Sequence, residues 1–154
     1  MKDDSTFEQL PPTKVLAGFD DEDRRKLSSY GKFLVFKAEQ TVIREGEDQD
    51  CLYFLIKGML HALHKVKGGF TPVGAINADE WFGEINIFDP HSASAMVKAR
   101  MDSQVWRISR PKLEKFLNNY PTLGSQLLLS VSEVLARRSR NLLTKLNATW
   151  EISW

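Results

Sequence analysis

Short apolar segments separated by turn residues occupy the middle of the chain, from about residue 33 to residue 108. They are rich in β-branched and aromatic residues, which favour strands over helices. The predicted strands cover residues 33–36, 41–43, 51–56, 59–66, 70–76, 94–100 and 104–108. Many short strands joined by glycine-containing turns are typical of a small antiparallel barrel or jelly roll. The pattern therefore predicts a mostly β fold.

Three of these strands carry further information about their place in the fold. The run Cys51–Ile56 is apolar at nearly every position, which predicts a strand buried on both faces. Pro72 lacks the N–H group that a central strand needs, so its strand is expected to be irregular or to lie at an edge. The segment 94–100 alternates, and its two faces are expected to be formed by Ala95, Val97 and Ala99 and by Ser94, Met96 and Lys98.

Helices are predicted on both sides of the β region. Asp20 or Asp21 can cap a short first helix, whose acidic first turn and basic later turn both suit the helix dipole. Ser109 is expected to cap a second helix. Pro121 can open a longer helix, because proline is tolerated at a helix start, and this helix is predicted to run to about Leu146.

An apolar stripe runs along the long helix and is interrupted by Arg138. The residues of this stripe are Leu128, Val131, Leu135 and Leu142. The helix could pack on its own β region, or against the same helix of a second copy across a two-fold axis. One face cannot cover both the β region and a free stripe. We therefore expect a homodimer through residues 121–146.

The length of 154 residues allows one domain with a proper core and an appended long helix. We expect a loosely held tail over residues 1–12 and the β domain over residues 13–120. The long helix and a terminal tail are expected over residues 121–154.

Charge and cysteine content narrow the class of protein. The net charge of +1 gives no strong electrostatic reason to expect a nucleic acid or a membrane as a partner. Cys51 is the only cysteine, so no internal disulfide can form, and a reducing cytoplasm fits. The polar start over residues 1–5 does not resemble a signal peptide, and no apolar run approaches the roughly 18 residues of a membrane span. A cytoplasmic protein is expected.

The segment 81–88 carries the clearest chemical signal, because Gly83 and Glu84 stand before a short apolar run. Such a turn can present several free backbone N–H groups at a helix N-terminus, where an anion can bind. The carboxylate of Glu84 is unsuited to hold a phosphate but can accept hydrogen bonds from sugar hydroxyls. A pocket for a phosphate and a ribose is therefore predicted here.

Three separated motifs, taken together, resemble a known family. They are residues 42–58, Trp81–Glu84 and Ser94–Val97. In this order they resemble the cyclic nucleotide-binding domain family, whose best-known members are the bacterial catabolite activators, the regulatory subunits of protein kinase A and the cyclic-nucleotide-gated channels. The likeness extends from about Val15 to Tyr120. It implies a jelly-roll-like double-stranded β-helix, or β-roll, with a short N-terminal helix and a long C-terminal helix.

The resemblance also implies roles for individual residues. Glu84 would bind the ribose 2′-hydroxyl, and the backbone N–H groups of Ile85 and Asn86 would approach the cyclic phosphate. Ser94 would add a hydroxyl group, and Arg138 of the long helix could lie over the base. The implied ligand-binding set is Gly83, Glu84, Ile85, Asn86, Ser94 and Ala95. The ligand would be cAMP or cGMP, without a cofactor or a metal.

One position departs from the family pattern. The family usually has an arginine directly before the serine or threonine, and Ala93 stands there in this chain. No arginine lies between Glu84 and Met96. A hydrogen bond to a charged group contributes about 1.5–3 kcal/mol, so its loss would weaken phosphate binding roughly 10- to 150-fold. Lys98 is a candidate substitute, because alternation places it on the same strand face as Ser94.

Two functions therefore stay open. In the first, the chain is a non-catalytic sensor of a cyclic nucleotide that signals through its long helix to an unidentified effector protein. In the second, the pocket has lost its ligand, and the domain serves as a protein-interaction or dimerisation module. Only residues 147–154 follow the long helix, too few for a DNA-binding domain, so direct DNA binding is not expected.

Catalytic and metal-binding chemistry is less favoured by the sequence. His61 and His64 lie three positions apart on one predicted strand and should face opposite ways, which argues against a shared metal ion. His91 has no carboxylate at ligand spacing nearby. No serine–histidine–aspartate, cysteine–histidine or paired-carboxylate arrangement stands out, so an enzyme is not expected.

Overall fold

The computed structural model describes residues 7–151 of the chain, with the side chains of residues 7–149. Its helices are α1 (Asp21–Ser29), α2 (Glu84–Phe88), α3 (Arg110–Asn119) and α4 (Pro121–Glu151), and a short 3-10 turn covers Lys14–Leu16. Its strands are β1 (Lys32–Phe36), β2 (Thr41–Ile43), β3 (Cys51–Lys57), β4 (Met59–Val66), β5 (Gly69–Asn77), β6 (Glu80–Phe82), β7 (Met96–Ala99) and β8 (Ser103–Ser109).

The strands form two four-stranded antiparallel sheets, with the orders β1-β8-β3-β6 and β2-β7-β4-β5. The predicted mostly β fold, a β-roll with a short N-terminal helix and a long C-terminal helix, is confirmed. The sequence did not predict β6 as a separate strand, because its three residues are too few to show alternation.

Strand β3 of the first sheet is buried on both faces. Leu52 and Phe54 belong to an apolar cluster shared with the helices. Tyr53 and Leu55 alternate with them and belong to a second cluster that joins the two sheets. The predicted burial of both faces of this run is therefore confirmed. The sheet lies between the helices and the interior of the roll.

Two predictions about individual strands have different outcomes. β5 lies at the edge of the second sheet, and its pairing with β4 shifts in register next to Pro72, as the missing N–H group of proline predicted. β7 begins only at Met96, so the expectation that Ser94 and Ala95 lie on this strand is wrong. Both residues belong to the loop that precedes it.

Of the two predicted capping residues, one caps its helix and the other does not. Asp20 caps α1, because its carboxylate accepts from the N–H of Asp23 at 2.8 Å while the Asp23 carboxylate accepts from the N–H of Asp20 at 3.1 Å. Ser109 stands before α3, but its hydroxyl makes no capping hydrogen bond. Pro111 follows two residues later and has no N–H to offer a capping side chain.

The face that α4 turns towards the roll contains only Val131 of the predicted stripe as a fully buried side chain. The buried apolar side chains of α4 are Leu127, Val131 and Val134. Leu128 and Leu135 are only half-buried, and Leu142 is 61% exposed. Arg138 continues the buried stripe four positions after its last valine and does not interrupt it. The apolar spacing of α4 fits two neighbouring stripes, one with Leu128 and Leu135 and one with Leu127 and Val134. Docking on the roll buries the second stripe.

Both ends of the described chain extend the fold beyond the predicted limits. Leu10 is 1% exposed and its N–H donates to Ser28 Oγ at 2.9 Å, so residues 7–12 pack against α1 and do not form a loose tail. Residues 1–6 and 152–154 lie outside the described residues. Helix α4 continues beyond the expected end near residue 146. Between residues 7 and 151 no helix combines the length and the apolarity needed to cross a membrane.

Candidate functional site

A cavity of about 480 Å³ opens between the second sheet, α2 and α4. Small-molecule sites usually have volumes of about 300–1,000 Å³. The residues that the sequence assigned to ligand binding all line this cavity. They are Gly83, Glu84, Ile85, Asn86, Ser94 and Ala95, together with Arg138. The fold thus brings together residues from a turn, a loop and a distant helix.

Gly83 and Glu84 form the sharp entry from β6 into α2. The φ angle of Gly83 is 76°, in the left-handed region. A Cβ atom at Gly83 would lie 2.9 Å from Cδ2 of Tyr53 and 3.0 Å from the carbonyl oxygen of Cys51. Only glycine suits this turn. It directs Glu84 into the interior, where the residue is 2% exposed.

Arg138 neutralises the buried carboxylate of Glu84. Its Nη1 donates to Glu84 Oε1, and its Nη2 donates to the carbonyl oxygen of Trp81 at 2.9 Å. A carboxylate buried to this degree is strongly destabilising unless it is paired and hydrogen-bonded. The second oxygen, Oε2, is bonded to none of the described residues. Because Glu84 lines the cavity, this oxygen is available to a hydroxyl group of a ligand.

The pairing of Arg138 with Glu84 was missed by sequence reasoning, which placed Arg138 over the base of a ligand. The two residues are 54 positions apart. One signal could have found it. A charged residue four positions after Val134, on a buried apolar stripe, needs a buried group of opposite charge. The signal is visible only on the stripe of Leu127, Val131 and Val134, because on the stripe that contains Leu128 and Leu135 Arg138 is an interruption.

Hydrogen-bond donors without partners also line the cavity. No hydrogen bond among the described residues uses the backbone N–H group of Ile85 or of Asn86. The side chain of Asn86 has no partner in the described chain either, although the residue is 8% exposed. Ser94 contributes its side chain from the loop before β7. The cavity therefore combines one carboxylate acceptor with several free donors.

Ala93, at the position of the missing arginine, is held firmly by the backbone. Its N–H donates to the carbonyl oxygen of Glu47 at 2.8 Å, and its carbonyl oxygen accepts from the N–H of Gly46 at 2.9 Å. The residue is buried and lines the cavity. A longer side chain at this position would therefore start from a fixed point on the cavity wall.

Lys98 does not replace the missing arginine. Its ammonium group lies 3.1 Å from Glu39 Oε2, and the neighbouring Val97 is the β7 residue that lines the cavity. Successive strand residues point to opposite faces, so Lys98 faces away from the cavity. Lys98 therefore cannot supply the missing cation. The cationic residues that line the cavity all belong to α4, and they are Arg137, Arg138 and Lys145.

Helix α4 is attached to the site at a second point next to Arg138. The indole Nε1 of Trp81 donates to Ser130 Oγ at 3.0 Å, and Ser130 donates to the carbonyl oxygen of Val15 at 3.0 Å. Trp81 is fully buried, and its ring lies 4.8 Å from that of Phe54. A displacement of α4 would therefore change contacts directly before Gly83.

The remaining candidate groups form no reactive centre. Burial, followed in weight by the negative charge of Asp50, raises the pKa of the Cys51 thiol to about 11. His64 Nδ1 lies 2.6 Å from Glu45 Oε1, at the surface. In the described part of the chain, no three or more histidine, cysteine, aspartate or glutamate residues are grouped so as to hold a metal ion.

The chain is similar to known proteins over most of its length. The family model described as "Cyclic nucleotide-binding domain" matches residues 33–120. The cAMP-activated global transcriptional regulator CRP of Haemophilus influenzae is 32% identical over 108 residues, which are 69% of this chain and 46% of that relative. The chain thus spans about half the length of this curated relative.

Solved structures share the fold. A cyclic nucleotide-binding domain from Methylobacillus flagellatus has a TM-score of 0.78 at 23% identity, over 85% of this chain and 74% of that one. The regulatory subunit of a cAMP-independent protein kinase A from Trypanosoma brucei has a TM-score of 0.66 at 22% identity, over 89% of this chain and 48% of that one. At these identities the likeness concerns the fold alone.

Proposed function

The chain belongs to the cyclic nucleotide-binding domain family of regulatory proteins, and from this we propose that it is a sensor that binds a cyclic nucleotide of the cAMP or cGMP class without catalysing a reaction. The curated relative from Haemophilus influenzae is described as cAMP-activated, which makes a cyclic nucleotide the first ligand to test. The single cysteine is compatible with a cytoplasmic location.

The observation that carries the proposal is the state of Glu84. Its carboxylate is almost completely buried, yet one of its oxygens has no partner among the described residues and borders the cavity. Burial of an acceptor costs free energy unless a hydrogen bond compensates for it. A ribose hydroxyl would supply that bond, while Arg138 keeps the charge of Glu84 neutralised.

The same pair suggests how binding would reach an effector. Arg138 belongs to α4, and it contacts both Glu84 and the carbonyl oxygen of Trp81. A ligand hydroxyl that binds the Glu84 carboxylate either competes with Arg138 for it or holds the carboxylate in place for Arg138. In both cases the free energy of the contact between Arg138 and Glu84 changes. A switch requires that the ligand bind two positions of α4 with different affinity. We assign the output to α4 and its unidentified effector protein.

Calorimetric titration with cAMP and with cGMP tests the proposal directly. Binding with a dissociation constant in the micromolar range supports it, and the variant Glu84→Gln provides the matched control. Glutamine keeps the shape of the side chain but weakens the acceptor and removes the charge-assisted bond. We expect the variant to bind at least roughly 10-fold more weakly. Absence of binding to either nucleotide at millimolar concentration would overturn the sensor function.

A second function, as an interaction or dimerisation module without a nucleotide, is favoured by a different observation. The most exposed large apolar side chains of α4 are Leu129, Leu142, Leu143 and Leu146. Apolar groups collected on one helix are typical of a surface that another protein covers. We propose a second copy of this chain as the occupant, through residues 121–146. The Trypanosoma brucei relative, described as cAMP-independent, is a precedent for this fold without cAMP control.

A further inference from the structure

Asn86 lines the cavity with a polar side chain that no protein group in the described chain binds. The residue is 8% exposed and lines the cavity from α2. No hydrogen bond involving its side chain occurs among residues 7–149. Its carboxamide is not among the fully buried, unpartnered groups of the described chain, so the group is open to the cavity, where a ligand can reach it.

A structural role does not explain the asparagine. The carboxamide makes no hydrogen bond within the described chain, and asparagine is a poorer helix former than alanine. The next residue of the helix shows what packing against the core requires there, because Ile87 is fully buried in the apolar cluster. Asn86 instead lines the cavity, and its carboxamide makes no hydrogen bond to a protein group in the described chain. A ligand group is the remaining source of a partner.

The charges around the cavity indicate which ligand group that is. No lysine or arginine of the roll lines the cavity, since Ala93 is small and the described cations there belong to α4. Glu84 is an acceptor and suits hydroxyl groups. Asn86 and Ser94 are the side-chain donors that the roll and α2 contribute to the cavity wall. A ligand group that has several acceptor oxygens and no hydrogen-bond donor fits two such donors.

We infer that the side-chain N–H₂ group of Asn86 donates to the phosphate of the bound nucleotide and supplies, as a neutral donor, the contact for which the roll has no cation. This inference rests on the proposed function. It makes Asn86 a residue that sets the affinity for the phosphate, since a neutral donor attracts the phosphate less than a guanidinium does. The helix cations Arg137 and Lys145 then provide positive charge from the opposite side of the cavity, since the charge of Arg138 is balanced by Glu84.

Two substitutions of Asn86 test the inference by calorimetric titration with cAMP and cGMP. Asn86→Ala removes the donor and should weaken binding roughly 10- to 150-fold. Asn86→Asp keeps the shape, replaces the donor by a negative charge and should weaken binding further, because it repels a phosphate. The matched control is Asn77→Ala, at an exposed asparagine of β5 outside the cavity, which should bind like the unmodified protein.

The outcomes separate the inference from the proposed function. Equal binding by Asn86→Ala and the unmodified protein would overturn the role of Asn86 and leave the sensor intact. Stronger binding by Asn86→Asp would also overturn it, because the contacted ligand group would then be a donor. Failure of the unmodified protein to bind either nucleotide would overturn both.

A measurement without ligand excludes a structural role. Asn86→Ala should not lower the melting temperature of the ligand-free protein, because it removes no hydrogen bond within the described chain and introduces a better helix former. A lower melting temperature would show that the carboxamide makes a stabilising contact within the protein, and it would overturn the inference whether or not a nucleotide binds.

Discussion

The guanidinium of Arg138 donates to the carboxylate of Glu84, which joins the long C-terminal helix to the first residue of α2 across 54 positions of the chain. The same guanidinium donates to the carbonyl oxygen of Trp81. Both acceptors flank Gly83, the turn at which the cavity wall begins. The position of α4 and the shape of the candidate ligand site are therefore coupled by one side chain.

Arg138→Ala should destabilise the protein by about 1–3 kcal/mol, because it leaves the buried Glu84 carboxylate without its charged partner. We place the effect below that of a fully buried ion pair, because the Arg138 side chain is 35% exposed. Urea denaturation followed by circular dichroism measures the change. The matched control is Arg137→Ala, at the neighbouring exposed arginine, for which a change within about 0.5 kcal/mol is expected. Equal losses in both variants would contradict the importance of the pair.

Ala93→Arg should strengthen cyclic nucleotide binding roughly 10- to 150-fold, because it places a cation on the rigid wall segment that is tied to Gly46 and Glu47. Calorimetric titration measures the gain. Ala93→Gln is the control for side-chain length, since it extends into the cavity without a charge. If both variants bind alike, or if the arginine variant binds no better than the unmodified protein, no phosphate lies near residue 93.

Gly83→Ala should destabilise the protein more than Gly46→Ala does. Both glycines have left-handed φ angles, 76° and 85°, so alanine is strained at each by about 1–2 kcal/mol. Only at Gly83 would the new methyl group also meet protein atoms, those of Tyr53 and Cys51, whereas nothing lies within 4 Å at Gly46. Denaturation of both variants measures the difference. Equal losses would mean that Gly83 is required by its backbone angle alone.

Cys51 should react slowly with a disulfide reagent at pH 8, because its pKa of about 11 leaves the thiol protonated there. The unfolded chain deprotonates nearer the ordinary value of 9.0, so the folded state retains a proton that the unfolded state loses between pH 9 and pH 11. Stability should therefore fall as the pH rises through this window. Cys51→Ala removes this contribution and should show a smaller decline in melting temperature over the same range.

Leu142→Glu should dissociate a homodimer formed through α4, because it places a charge on an exposed apolar position of the proposed interface. Light scattering at micromolar protein concentration measures the mass. The control Thr144→Glu adds the same charge about 200° around the helix and should leave a dimer intact. A monomeric unmodified protein would contradict the dimer proposal from the outset.

Local patterns carried most of the correct predictions. The apolar run of β3, the proline of β5 and the capping aspartate of α1 each depend on neighbours in the sequence, and each has the predicted place in the structure. The errors concern structural arrangements that the same local sequence pattern fits equally well. They include the place of Arg138 relative to the buried stripe of α4 and the direction of Lys98.

The amino-acid sequence by itself determined the roll, the turn at Gly83 and the placement of Glu84 at the start of α2, because backbone geometry and alternating burial follow from residues close together in the chain. Tertiary structure alone decided that Glu84 is paired with Arg138 and that Asn86 is not paired at all. The free energy of a buried polar group depends on which distant atoms reach it, and docking α4 by a neighbouring stripe would change that set entirely.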